Sequence, residues 1–275
     1  MDQRHDATPS LEELWRRYDA MEARLSAPLS ERMLELARLG PGMRVLDIAT
    51  GRGEPAVRAA HRVAPGGVVV GIDTSASMLA MAKERADREG IANLILRAAD
   101  AASPGDLPEP AFDAVLCRWG LMYMEQPGQA LLEVRKRMVQ RGRLVVAVWA
   151  EPDRVPYFTL PRRVLSKWRP VPPPALDGPG TFRYASRHAL EVELAAQGFA
   201  VESTEELEVK VMEVEDAGAL VAWVRAFGLD KLVRDLPADV QEGWAADLAR
   251  EVLRLNDGSG YSLGGVTRLV LARAA

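Results

Sequence analysis

Cysteine is nearly missing from this chain of 275 residues, Cys117 being the single one. One thiol makes no intrachain disulfide and no cysteine-based zinc site. Histidine is almost as scarce, and His5, His61 and His188 are too scattered to suggest a metal cluster, so no metal is expected. Long apolar runs are also missing: none approaches the roughly 20 residues that a membrane span needs. Met1 to Ser10 is polar and lacks the hydrophobic stretch of a secretory signal. Nor is there an excess of positive charge. A formal charge of −4 and a pI near 5.6 give no general attraction to nucleic acid or to an anionic membrane. These absences lead to the expectation of a cytoplasmic protein with neither nucleic acid nor membrane as partner.

What the chain does have is alternation. Apolar runs predict strands over 44–48, 67–72, 93–97, 112–117 and 143–149, with helical patterns over 54–63, 77–89 and 127–138 between them. Such alternation implies a parallel sheet covered on both faces. Ahead of it, Leu14, Trp15, Tyr18, Met21 and Leu25 recur at helical spacing, and the pattern continues from Leu29 to Leu39 before Gly40-Pro-Gly42 stops it. The polar, proline-bearing connection between Arg97 and Phe112 has room for a short helix only. From 150 to 180 prolines are dense, which argues against a long helix and for a loop-rich segment packed over something. A helix is expected from Ser186 to Gly198, a strand over 199–212, helices over 216–255 broken at Gly228 and Pro237, and a last strand over 261–272. No internal repeat or low-complexity tract is present.

The chemistry gathers where three of these strands end. Arg44-Val-Leu runs into Asp47, then into a tight turn carrying Gly51 and Gly53, then into a helix. Backbone amides and the positive end of a helix meet nucleotide-like ligands in such units. Asp73 closes the next apolar run about twenty residues beyond the glycines, where a carboxylate accepts from ribose hydroxyls. Asp100 closes the third. Gly51-Arg-Gly53-Glu-Pro-Ala56 formally fits the dinucleotide fingerprint, which is weak taken alone. Asp47 changes its meaning, because like charges at contact range repel by roughly 1 kcal/mol even in water. That carboxylate disfavours a pyrophosphate and suits an amino or sulfonium group. Simpler roles stand beside these: a helix cap for Asp47 or Asp73, a core position for Met78, and packing or an internal salt bridge for Arg118 and Trp119. The basic cluster Arg135, Lys136, Arg137, Arg141 and Arg143 lacks interleaved aromatics and reads as a solvated helix end.

The ordered set Asp47 to Gly53, Asp73, Asp73-Thr-Ser-Ala-Ser-Met-Leu-Ala-Met-Ala82, Asp100-Ala101 and Phe112-Asp-Ala-Val-Leu-Cys117 resembles the class I S-adenosylmethionine-dependent methyltransferases over roughly 42–150. More narrowly, the chain is similar to the small-molecule enzymes of quinone biosynthesis and natural-product tailoring. The resemblance implies a Rossmann-like, doubly wound, mostly parallel α/β sheet of seven strands with a helical and loop cap over the carboxyl strand ends. It implies one domain over 1–275, with a core of about 40–150, 186–212 and 260–275 and a cap from 11–34, 151–185 and 213–259. It implies S-adenosyl-L-methionine as cofactor, held by Asp47, Ala49, Thr50, Gly51, Gly53, Asp73, Thr74, Met78, Asp100, Ala101 and Arg118. Ala49 stands where the family often has glycine, and is tolerable if that residue keeps strand-like geometry, since only a positive φ demands glycine. The Asp/Asn-Pro-Pro-Tyr loop of amino-methylating DNA and protein enzymes is absent; Cys117-Arg-Trp-Gly-Leu-Met-Tyr123 stands there instead.

The expected activity is methyl transfer to a small, largely apolar or aromatic acceptor through oxygen, nitrogen or carbon. Tyr18, Trp119, Tyr123, Trp149, Tyr157, Phe158 and Tyr184 are the residues expected to contact that acceptor. In-line displacement relies on alignment and water exclusion, so no catalytic side chain need stand out. A nicotinamide-dependent oxidoreductase, a non-catalytic S-adenosylmethionine-binding protein and a methyltransferase acting on RNA are the alternatives, and a homodimer is left open.

Overall fold

The computed structural model describes residues 11–108, 111–227, 233, 236–256, 258 and 260–274, with the backbone alone at 11–17 and 223–227. The helices are α1 (Leu11–Leu25), α2 (Ala27–Ala37), α3 (Ala56–Val63), α4 (Ala76–Arg88), α5 (Pro127–Lys136), α6 (Pro156–Leu165), α7 (Arg187–Ala196), α8 (Ala217–Phe227) and α9 (Ala238–Leu253). The strands are β1 (Arg44–Ile48), β2 (Val68–Asp73), β3 (Leu94–Ala98), β4 (Phe112–Arg118), β5 (Met138–Trp149), β6 (Phe199–Val214) and β7 (Tyr261–Ala274).

The strands form one sheet in the order β3-β2-β1-β4-β5-β7-β6. From β3 to β5 neighbouring strands are parallel, and β7 runs antiparallel to β5. Parallel strands covered on both faces need apolar residues at nearly every position, and β1 is buried from Val45 through Ile48. The alternating residues Ala114 and Leu116 of β4 and Val145 and Ala147 of β5 meet Leu29, Met33 and Ala37 of α2 and Ala56, Ala59, Ala60 and Val63 of α3 in one cluster. Chain order reverses between β1 and β4, with β2 and β3 on one side and β5 on the other. Ligands of open α/β sheets bind outside the carboxyl ends of strands at such a switch point.

By its contacts the chain forms two compact units. The larger holds Ala27–Arg154, Pro174–Val209 and Val266–Ala275, so α2 and residues 174–185, which the sequence assigns to a cap, belong with the sheet. The other holds the described residues of Met1–Ser26, Val155–Pro173 and Lys210–Gly265. Its core joins Tyr18, Leu160, Val164, Leu220, Trp244, Leu248 and Leu263. The buried Trp244 donates its Nε1–H to the Pro161 carbonyl at 3.2 Å.

Two local expectations are corrected. The segment 150–180 is less loop-rich than expected: it holds no long helix, but the ten-residue α6 spans Pro156–Leu165. Pro156 opens it, at a position whose N–H would have no intrahelical partner, and Pro161 removes a single ladder bond while Leu160, Val164 and Leu165 bury the helix face. Between β3 and β4 the described residues form a turn, closed by Ser103 N–H on the Asp100 carbonyl at 3.0 Å, and not a short helix. Pro104, Gly105 and Pro108 explain that. The helix break expected at Gly228 lies outside the described residues.

Candidate active site

Asp47 is the penultimate residue of β1, its side chain wholly buried. Its Oδ2 accepts from the Thr50 hydroxyl at 2.6 Å, while Oδ1 is buried with no hydrogen-bond partner among the described residues. Burial pushes the Asp47 carboxyl up to about 7, against the pull of the Thr50 hydroxyl and the Arg118 guanidinium. Thr50 is anchored in turn by its N–H on the Ile72 carbonyl at 2.9 Å. Gly71 of β2 packs closely beside it, since a Cβ there would lie 3.0 Å from the Thr50 hydroxyl and press on it.

The turn after β1 needs left-handed backbone at Gly51 (φ +53) and Gly53 (φ +87), which glycine adopts without steric cost. Among the described residues, no atom beyond its own chain neighbours lies within 4 Å of where a Cβ of Gly51 would stand, leaving room for a ligand against the backbone. Ala49 departs from the sequence expectation. It is not strand-like but left-handed, with φ +54, a conformation costing an L-residue about 1–2 kcal/mol. The chain has to turn sharply where β1 ends, so the glycine commonly found at this position would relieve real strain.

Asp73 ends β2 and braces the turn. Its Oδ2 accepts the Gly51 N–H at 2.8 Å and its Oδ1 the Ser75 N–H at 2.9 Å. It is not the cap of α4; that is Ser75, whose hydroxyl accepts the Met78 N–H at 3.3 Å. Each carboxylate oxygen has two lone pairs, so both retain acceptor capacity. Thr74 is exposed and Met78 half-buried at the start of α4. Asp100 is exposed beyond β3, its Oδ1 accepting the Ala102 N–H at 2.8 Å, and Ala101 is buried beside it.

Arg118 ends β4 and Trp119 follows it. The Arg118 Nε–H donates to the Glu54 carbonyl at 3.2 Å, and its guanidinium lies 4.7 Å from the Trp119 ring centroid. Trp119 stacks on Trp149 at 4.5 Å between centroids and 14° between planes, and its Nε1–H donates to the Thr267 hydroxyl at 3.1 Å. Trp119 is also left-handed (φ +55), held by its N–H on the Ala147 carbonyl at 2.8 Å. Trp149 and Tyr184 are buried, the Tyr184 hydroxyl donating to Glu193 at 3.4 Å. Tyr123 is exposed, 3.1 Å from the Thr181 hydroxyl. The buried Cys117 thiol is pushed up to about 12 by desolvation, so it is neutral at ordinary pH and a poor nucleophile.

Of the other aromatic residues expected at an acceptor, Tyr18 is buried in the core of the second unit. Tyr157 and Phe158 meet edge to face on α6, their centroids 4.7 Å apart. Three contributors escaped the sequence reading. Gly120 is fixed as glycine, since a Cβ there would lie 2.4 Å from that of Ala49. Glu54, buried in the turn, binds Arg85 at 2.7 Å and Arg58 at 2.8 Å, tying the start of α3 to α4. Arg268 of β7 is buried and donates to Glu151 at 2.9 Å, Glu206 at 2.9 Å and the Ala185 carbonyl. Among these, only the Trp119-Gly120 pair beside a strand end carried a local signal.

Residues 39–160 match a family described as a methyltransferase domain. The chain is 33% identical over 198 residues to a demethylmenaquinone methyltransferase of Thermus thermophilus, covering 67% of this chain and 89% of that one. It is 28% identical over 246 residues to the nocamycin O-methyltransferase of Saccharothrix syringae, covering 86% of each. Its fold is similar to that of a SAM-dependent methyltransferase from Aquifex aeolicus, with a TM-score of 0.55 and 17% identity over 94% of this chain and 98% of that one. With the strand order, the acid-and-glycine turn of β1 and these relatives in agreement, the chain belongs to the class I S-adenosylmethionine-dependent methyltransferases.

Proposed function

We propose that the turn after β1 and the acids closing β2 and β3 hold S-adenosylmethionine, and that the protein methylates a small, largely apolar or aromatic metabolite by in-line displacement. The observation that carries the cofactor assignment is the buried Asp47 carboxylate with one unpartnered oxygen beside an open glycine turn. A buried carboxylate left half-satisfied is costly, and an ammonium group placed there would complete it. The fit continues along the sheet edge. Asp73 has acceptor capacity for ribose hydroxyls, Asp100 and Ala101 would read the adenine edge, and Thr74 and Met78 around the start of α4 would pack on the nucleoside. Ala49 and Thr50 shape the turn, while Arg118 adds a cation that keeps the acids from repelling one another.

S-adenosylmethionine supplies an electrophilic methyl group on a sulfonium whose leaving group is a neutral thioether. The protein's own residues supply position. The turn amides and the two aspartates align the donor, and the stacked Trp119 and Trp149 wall off water at the β4 and β5 ends. The neutral Cys117 thiol makes a covalent methyl-cysteine relay a poor alternative to direct transfer. Relatives named for nocamycin and demethylmenaquinone support a small acceptor. A nicotinamide dinucleotide fits less well, because its pyrophosphate would face Asp73 and would bring no cation to Asp47.

Calorimetry on the full chain is expected to show S-adenosylhomocysteine binding and no NAD binding. NAD binding without adenosylhomocysteine binding would overturn the cofactor assignment. Incubation with methyl-labelled S-adenosylmethionine and a panel of quinols, phenols and enols, read by mass spectrometry, tests the acceptor class. Label found only on peptide or nucleic acid would sink it.

A further inference from the structure

The two oxygens of Asp47 are unequal, and the inequality bears on how the proposed cofactor enters. Oδ2 has the Thr50 hydroxyl at 2.6 Å, whereas Oδ1 is buried without a partner among the described residues. The charged groups facing this carboxyl are Arg118 from the end of β4, Glu54 from the turn before α3 and Asp73 from the end of β2; the Cys117 thiol beside it is neutral. Glu54 has its own counter-charges in Arg58 and Arg85, so Arg118 is the cation that faces Asp47, and it is itself engaged with the Glu54 carbonyl and the Trp119 ring. An ionised Asp47 would be a buried charge with half its acceptor sites unused. The group avoids that penalty by holding a proton.

We propose that ligand docking at this turn is proton-coupled: Asp47 is neutral in the free protein, with its proton on Oδ1, and releases that proton to solvent when the ligand's ammonium group arrives. The proposal rests on the cofactor reading above and deepens it. The step is an acid dissociation, in which the carboxyl O–H bond breaks, the buffer takes the proton, and the carboxylate keeps the electron pair to face the incoming cation. No oxidant or reductant is involved. The sign follows from linkage. Burial puts the free carboxyl at about 7. Below that pH, binding expels up to one proton, and affinity rises up to about tenfold for each unit of rising pH. Above it Asp47 is already ionised, no proton is released and affinity levels off.

The test is calorimetry of the full chain with S-adenosylhomocysteine at about pH 6, in two buffers of different ionisation enthalpy. The ligand's own ammonium and carboxylate keep their charges at that pH. The expected result is release of most of one proton. The same measurement with 5′-methylthioadenosine, which has the nucleoside and thioether but no amino-acid tail, should show none. Asp47→Asn, checked for folding by its thermal melt, should bind adenosylhomocysteine with an affinity that no longer changes between about pH 5.5 and 7. Zero proton release by the unaltered protein would overturn the proposal whatever the variant does. Equal release with 5′-methylthioadenosine or in Asp47→Asn would overturn it by placing the titrating group elsewhere. Failure of adenosylhomocysteine to bind at any pH would instead defeat the cofactor reading itself.

Discussion

Asp73→Ala is expected to lower S-adenosylhomocysteine affinity ten- to a hundredfold in a protein that still folds. Hydrogen bonds to a charged group contribute about 1.5–3 kcal/mol each, and about 1.4 kcal/mol is a factor of ten in affinity. The substitution removes the acceptor for the ribose and also releases the Gly51 and Ser75 amides that the carboxylate now holds at 2.8 and 2.9 Å. The turn then loses the geometry that presents its backbone to the ligand. The fold should survive because Asp73 is half-buried, so water can replace the lost acceptor. Asp73→Asn should recover only part of the affinity, since its amide group would turn a donor toward one of two N–H groups. Calorimetry beside a thermal melt separates binding from folding. A folded Asp73→Ala protein with unchanged affinity would leave Asp73 as a loop brace with no ligand.

Gly120→Ala is expected to destabilise the protein by about 1–3 kcal/mol, the usual cost of overpacking, and Ala49→Gly is expected to restore most of it. A Cβ at 120 would lie 2.4 Å from the Ala49 Cβ and 3.3 Å from the Cys117 sulfur. Both positions sit where adjacent parallel strands end, so neither backbone can retreat without disturbing β1 or β4. Ala49→Gly deletes the colliding methyl. It also removes left-handed strain of about 1–2 kcal/mol, offset by the roughly 0.5–1 kcal/mol of extra freedom that glycine gains when unfolded. Alone it should therefore be close to neutral. In the double variant the costs should be strongly non-additive, which melting temperatures of the four proteins would show. Additive shifts would mean that Gly120 is constrained by something other than Ala49.

These two residues also mark where sequence reasoning stopped. The sheet was legible because strands buried on both faces must be apolar almost throughout, and Val45 to Ile48 and Val69 to Ile72 are buried accordingly. Asp47, Gly51, Gly53 and Asp73 were legible because a ligand-binding strand end concentrates unusual residues in a short span. The left-handed turn at Ala49 was not, since alanine gives no signal of positive φ and a tertiary constraint imposes it. Helix α6 was hidden by its prolines, whose local cost is outweighed by burial of Leu160, Val164 and Leu165. The Arg268 cluster joins Glu151, Ala185 and Glu206 across 117, 83 and 62 positions. No local pattern spans such distances.

The place of β7 has a consequence for how the chain is made. It is the last of the seven strands in sequence, yet it lies between β5 and β6, paired with β5 from Arg143–Arg273 to Trp149–Thr267. While the polypeptide is still emerging, β5 is therefore an open edge and β6 has no neighbour on its β7 side. An unpaired edge invites pairing with another chain, and contacts between distant segments form slowly. Arg268, arriving with β7, is also the buried counter-charge that joins Glu151 and Glu206, which until then have Arg154 alone among the described partners. A nascent chain of this protein spends its vulnerable interval with a gap in the sheet, and the last of these seven strands to be translated is the one that closes it.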